Sequence, residues 1–181
     1  MEQDEELLYV VTDGKKGKMP DFTTMHFPDN KRIYMKTDWT TDALAMTVTG
    51  KVTGSHGHRD VYSLAMMAYG RHLLTDQGYG AILTGPTTEL MYASQSHNVL
   101  LADDTENLGK TNSRIKPAPQ LMKYYRDAQE RYYYTDDKYD LYELTGANNP
   151  VVAQQNRCVL FCKKQRFWIV TDYIKPVTFT E

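Results

Sequence analysis

His56, His58 and His97, with Asp60 and Asp76, are the residues whose types and spacing point to chemistry. They lie in the run Ser55-His56-Gly57-His58-Arg59-Asp60, then at Asp76, then at His97-Asn98, and His56 to His97 spans 42 residues. Neutral imidazoles and a carboxylate are the usual protein ligands of a zinc-like ion. In an extended segment side chains alternate, so His56, His58 and Asp60 share a face and Arg59 turns to the other. Asp76 follows His58 by 18 residues. It ends the return strand of a hairpin expected over 61–76, which brings it back near His58. His97 opens a further expected strand. His58, Asp76 and His97 then make a set of two histidines and one carboxylate, with water or Asp60 for a fourth position. A His-x-His spacing alone says little, because ordinary histidines bonded to backbone also produce it. The full arrangement is what points to a site.

The elements that must position these residues read mostly as strands. Leu7 to Val11 is a short strand candidate, and 13–18 is a turn or loop closed by Pro20. Lys31 to Asp38 alternates, with Ile33 and Met35 on one face and Tyr34 and Lys36 on the other. Ala43 to Thr49 sets Leu44, Met46 and Val48 against Ala45, Thr47 and Thr49, a period of two. Val61 to Tyr69 is apolar on both faces; its length suits a strand buried on both sides, and periodicity alone leaves a helix open. Gly70-Arg71 is a tight turn, and His72 to Asp76 is the return strand. Gly78, Gly80, Gly85 and Pro86 mark an irregular loop. Val99 to Ala102 is another expected strand. Beyond Pro117 and Pro119, the spacing of Leu121, Tyr124, Tyr125, Ala128 and Tyr132 is near the helical period, which suggests a short helix near 119–133 or an insertion. Tyr139 to Leu144 reads as a strand and 146–150 as a loop. Cys158 to Cys162 and Phe167 to Tyr173 form a hairpin across 163–166.

Many short strands with frequent turns predict an all-β fold, an antiparallel β-sandwich. The strand pattern breaks off near Glu181, so the sandwich is expected to be incomplete. With 181 residues the chain is long enough for one domain with a core. Its formal net charge of -2 is not that of a protein built to neutralise nucleic acid. No apolar run approaches the roughly 20 residues that span a bilayer. Met1 to Glu6 is acidic and has no apolar segment of the signal-peptide type. Cys158 and Cys162 stand on one face of a strand, roughly 13 Å apart by rise, too far for a mutual disulfide. The 14 tyrosines suit half-buried sheet surfaces and equally suit carbohydrate grooves.

At these residues the chain resembles the heparinase II/III-like domain of polysaccharide lyases, a group that includes heparin, heparan sulfate and alginate lyases. The resemblance runs from about Arg32 to Tyr173. It rests on 55–60, on Ala68-Tyr69-Gly70-Arg71 with Leu74-Thr75-Asp76-Gln77-Gly78, and on Ser96-His97-Asn98-Val99. The segment Arg157-Cys158-Val159-Leu160-Phe161 with Phe167-Trp168-Ile169-Val170-Thr171-Asp172 also fits. The resemblance implies a supersandwich-like fold over 1–181, as a fragment of a longer lyase whose N-terminal helical toroid is absent. It implies a zinc ion on His58, Asp76 and His97, with Asp60 behind them orienting an imidazole. It implies that His56 faces the substrate, with Tyr79 and Tyr92 near it. For either tyrosine, packing under the loop is an equal alternative.

The reaction implied is β-elimination at a uronic acid within an acidic polysaccharide. A base removes the proton next to the carboxylate, the glycosidic oxygen leaves, and an unsaturated sugar remains. Positive charge and hydrogen bonds around the carboxylate stabilise the developing negative charge, and a tyrosine or histidine serves as base and acid. The chain departs from the family in lacking the toroid, and Asp103 to Asn107 stands where a glutamine is often found after His-Asn. Little turnover is therefore expected of the chain alone. A uronyl epimerase of related build, and a non-catalytic zinc-stabilised glycan-binding domain, are the alternatives. Among basic residues, Arg71 and Arg114 are those expected to meet a polyanion; Lys31, Arg32, Lys36 and Lys116 read as solvated. The acidic stretch 136–140 lacks a calcium-loop spacing and reads as a solvated loop. Periplasmic or secreted localisation follows from the resemblance only.

Overall fold

The computed structural model describes residues 4–51, 58–76, 78, 90–102, 128–146 and 152–176. Among these residues nine strands form two antiparallel sheets. The first holds five strands in the order β1-β2-β3-β4-β5: Thr24–Phe27, Arg32–Lys36, Ala45–Thr49, Leu64–Ala68 and Arg71–Leu74. The second holds four in the order β6-β7-β8-β9: Gln129–Thr135, Tyr139–Gly146, Val152–Cys162 and Phe167–Pro176. Each sheet is a meander, so every strand pairs with its sequence neighbour.

Alternation decides which face is buried. Ile33 and Met35 of β2 sit opposite Val48 and Met46 of β3, and all four are buried. Tyr142 and Leu144 of β7 and Val159 and Phe161 of β8 answer from the other sheet, in one apolar core. This is the sandwich that the sequence predicts, and the Cys158–Cys162 and Phe167–Tyr173 hairpin is its longest. Both cysteines are free.

Polar ties also join the sheets. Tyr62 Oη donates to the carbonyls of Gly146 at 3.1 Å and Gln155 at 3.3 Å. His26 Nε2 lies 2.7 Å from Glu130 Oε2, and its ring stacks on Tyr133 at 3.9 Å. Gly50, just past β3, donates to Lys31 O and accepts from Ala128 N. A Cβ there would lie 2.8 Å from Lys31 Cβ and 2.9 Å from Leu144, so only glycine fits the approach.

Several expectations need correction. Leu7–Val11 is not a strand; Glu5–Val11 is an α-helix, α1. Asp4 caps it by accepting from Leu7 N at 3.0 Å, and Glu5 and Glu6 fill its first turn. These end effects outweigh the β preference of Tyr9-Val10-Val11. The helix over 119–133 fails where it can be seen. Gln129–Thr135 is β6, with Tyr132 and Tyr134 exposed and Tyr133 packed on the core. Pairing with β7 imposes the period of two on this aromatic run. The remainder of that segment, 119–127, lies outside the described residues.

Three boundaries also move. The strand expected over 61–69 is β4 alone, and it is not buried on both sides, since Met67 is 40% exposed. Its return strand is Arg71–Leu74, so Asp76 stands two residues beyond β5 rather than in it. Tyr69 and Gly70 make the turn with positive φ at both positions (52° and 68°), the geometry that suits a two-residue hairpin. Val99 to Ala102 forms no strand beyond a single bridge at Ala102. The acidic stretch divides: Asp137 is exposed and pairs with Lys164, but Asp140 is fully buried. No helix among the described residues is long and apolar enough to cross a membrane.

Candidate metal centre

Asp76, His58 and His97 come from three segments without a shared strand. The turn after β5 carries Asp76, whose Oδ1 accepts from Gly78 N at 2.9 Å and so closes a local turn. His97 follows a single 3-10 turn, Ser94–Ser96, and donates its backbone N–H to Ser94 O at 3.0 Å. It therefore ends a turn and does not open a strand. Residues 58–60 dock on this segment: Arg59 N donates to Tyr92 O at 3.0 Å, and Ser94 Oγ donates to Arg59 O at 3.1 Å. Arg59 thus gives both its backbone N–H and its carbonyl to this docking. Nothing in residue type alone would have marked Ser94 or the Arg59 carbonyl.

The three side chains meet. His58 Nδ1 lies 3.2 Å from His97 Nε2, and His97 Nδ1 lies 2.7 Å from Asp76 Oδ2. One ligand atom from each residue falls within 4.8 Å of the others. Two nitrogens on one tetrahedral zinc, each bound at roughly 2.0–2.1 Å, stand roughly 3.3 Å apart. The two imidazoles are therefore already at the spacing of a shared ion. Asp76 at Nδ1 holds His97 with that nitrogen protonated, which leaves the Nε2 lone pair facing His58. Two histidines and one carboxylate fit zinc in donor type; as placed, the two imidazoles face each other and Asp76 backs His97 at Nδ1.

The electrostatics follow from burial and charge. The His97 side chain is fully buried, which works against an imidazolium; the Asp76 hydrogen bond and the charges of Asp76 and Asp60 outweigh this and raise its pKa. Burial pushes the Asp76 carboxyl up, but the bonds from His97 and Gly78 N hold it below the usual range. Asp60 is raised by burial, with the His97 charge opposing.

Asp60 lies in the neighbourhood that the sequence indicates. Its Oδ1 is buried and has no hydrogen-bond partner among the described residues, and its link to His97 is through charge. With Arg32, Thr47 and Ser63 it lines a cavity of about 190 Å³ that reaches Asp76. Arg32 is thus built into the wall rather than freely solvated. Tyr92 stands edge-on to His58, with ring centroids 4.7 Å apart. His56, Tyr79 and Arg114 lie outside the described residues. Arg71 is exposed at the start of β5.

Known proteins bear on this geometry in two ways. Solved structures superpose on nearly the whole chain. HepC, a heparan sulfate lyase from Pedobacter heparinus, aligns with TM-score 0.74 and 20% identity over 96% of this chain. The heparinase III BT4657 gene product aligns with TM-score 0.76 and 19% identity over 97%. Another heparinase III aligns with TM-score 0.64 and 13% identity over 87%. At such identities the likeness shows the fold. This chain spans only 25%, 26% and 23% of those three chains, respectively. No curated protein matches it. The model of the family described as heparinase II/III-like, C-terminal, matches residues 38–178. That stretch holds all three candidate ligands and every strand but β1 and β2, so the chain belongs to the heparinase II/III-like C-terminal family.

Proposed function

We propose that this chain is the β-sandwich part of a longer polysaccharide lyase that cleaves uronic-acid-containing glycans by β-elimination. The observation that carries the reading is the convergence of His58, Asp76 and His97 within a chain of this family. His58 and His97 would hold zinc through the facing nitrogens, and Asp76 would complete or orient the set. A bound zinc supplies positive charge and locks the segments that carry its ligands.

The protein's own groups do the rest. Tyr92, whose ring stands edge-on to His58, is assigned to hold or move a proton beside the centre. His56, two residues before His58, is assigned to the uronate carboxylate, whose neutralisation makes the adjacent C–H acidic enough to ionise. Tyr79 is the second phenol assigned to the cleft. Asp60 is assigned to orient an imidazole. The remainder of the parent chain, with a helical toroid, is the expected partner that completes the cleft, and its place of work is the periplasm or outside the cell.

The test uses the full-length parent with heparan sulfate, a hyaluronan-like chain and alginate. Ultraviolet absorbance from an unsaturated uronate, lost in His58→Ala together with bound zinc, is the expected result. Proton exchange at the uronate carbon without an absorbing product would make it an epimerase. Zinc binding with no change in any of these glycans would leave a metal-stabilised binding domain.

A further inference from the structure

We propose that Asn98 is a positioning residue of this centre, fixed from the opposite sheet by Arg157; the inference rests on reading His58, Asp76 and His97 as metal ligands. Neither His97 nor Asp76 lies in a strand, so no sheet ladder sets the distance between them. The Asn98 amide does so. Its Nδ2 donates to Leu64 O at 2.8 Å and to Thr75 O at 2.8 Å. An amide nitrogen has two hydrogens in one plane, and both are used here. Leu64 begins β4 and Thr75 follows β5, so the amide grips both strands of the hairpin at its open end. The next residue on each side is a candidate ligand: His97 before Asn98 and Asp76 after Thr75. Residues 97–98 therefore dock on 75–76 by two adjacent bonds, one in the clamp and one in the site.

Arg157 of β8 fixes the clamp's backbone. Its Nη1 donates to Asn98 O at 3.1 Å and also to Tyr62 O. Its Nε and Nη2 reach the two oxygens of Asp172 on β9, at 2.7 and 2.8 Å. A buried guanidinium is costly unless every donor is placed. The Asp172 fork fixes where Nη1 sits, and from there it donates to the carbonyls of residues 62 and 98. The second sheet thereby sets where the His97 segment sits.

The test uses the full chain with zinc alone, by competition against a chromophoric chelator, and with cobalt(II) as a spectroscopic substitute. Asn98→Leu keeps the volume and removes both donors. Zinc affinity is expected to fall about 10–100-fold, as for other groups that orient metal ligands. The cobalt band should shift, and the unfolding temperature of the metal-free protein should stay near wild type. Arg157→Lys keeps the charge but cannot fork, and should shift the cobalt band in the same way. Asn98→Ser serves if the leucine variant does not fold. Wild-type affinity and an unchanged cobalt spectrum in a folded Asn98 variant would overturn the proposal alone. Failure of the wild-type chain to bind either ion would remove the metal reading and the proposal with it.

Discussion

His97 uses both ring nitrogens at once, one on Asp76 and one facing His58. The Asp76 charge is therefore expected to matter even where its shape is kept. Asp76→Asn should weaken zinc binding at least about tenfold, measured by chelator competition; equal affinity would remove Asp76 from the centre. A second titrating group is Asp38, just past β2. Burial pushes the Asp38 carboxyl up, but bonds from Thr40, Thr37 and Arg166 outweigh this and lower its pKa. A lowered folded-state pKa gives stability that is present above the unfolded value of roughly 3.9 and is lost as pH falls through the folded value. Asp38→Asn should thus cost stability at neutral pH, and the deficit should shrink in acid. Urea midpoints of both proteins across that range check the sign.

At the scale of elements, α1 shows how end effects decide a short segment. It buries nothing, and Leu7 and Val11 are 58% and 67% exposed. Its cap and acidic first turn carry it. Asp4→Ala should remove about 1 kcal/mol from that helix. Amide exchange should then speed up within Glu5–Val11 alone, while the global unfolding midpoint stays put. Gly50 is the opposite case, where one position serves two sheets. Gly50→Ala puts a methyl against Lys31 and Leu144. The cost should be about 1–3 kcal/mol, read as a lower urea midpoint for the whole domain.

Over the whole molecule, the sheets are joined by a buried polar centre as well as by the apolar core. Asp140 of β7 is fully buried and accepts from Thr24 of β1, from Thr135, and from Lys163 at 2.9 Å. Lys163 also donates to Asp136 O at 2.7 Å. Removing the cation leaves a charged group in the core, so Lys163→Ala should cost about 3–5 kcal/mol. Replacing both partners with apolar residues, Lys163→Met with Asp140→Leu, should cost much less than the single change. Equilibrium unfolding of the two variants decides this. A larger loss in the double variant would mean that Thr24 and Thr135 depend on the carboxylate more than the pair does.

The sequence by itself determined the class of fold and singled out three side chains, His58, Asp76 and His97, that the structure brings together. Period-two alternation over 31–38 and 43–49, and the long 158–173 hairpin, are local signals, because a strand's side chains point alternately whatever it pairs with. His58, Asp76 and His97 were legible as a group because side chains of metal-ligand type are few and these stood close together in the chain. The tertiary structure decided what depends on partners remote in sequence. Tyr132 to Thr135 became a strand because β7 offered a ladder, against a spacing that suggested a helix. Asp140 changed from a loop carboxylate to a buried one because Thr24 arrives from 116 residues away. Asn98 and Arg157 stand in motifs that carry the resemblance, but nothing in those motifs names their partners. Their roles exist only because backbone carbonyls of Leu64, Tyr62 and Thr75 come within hydrogen-bonding reach, and carbonyl positions are set by packing.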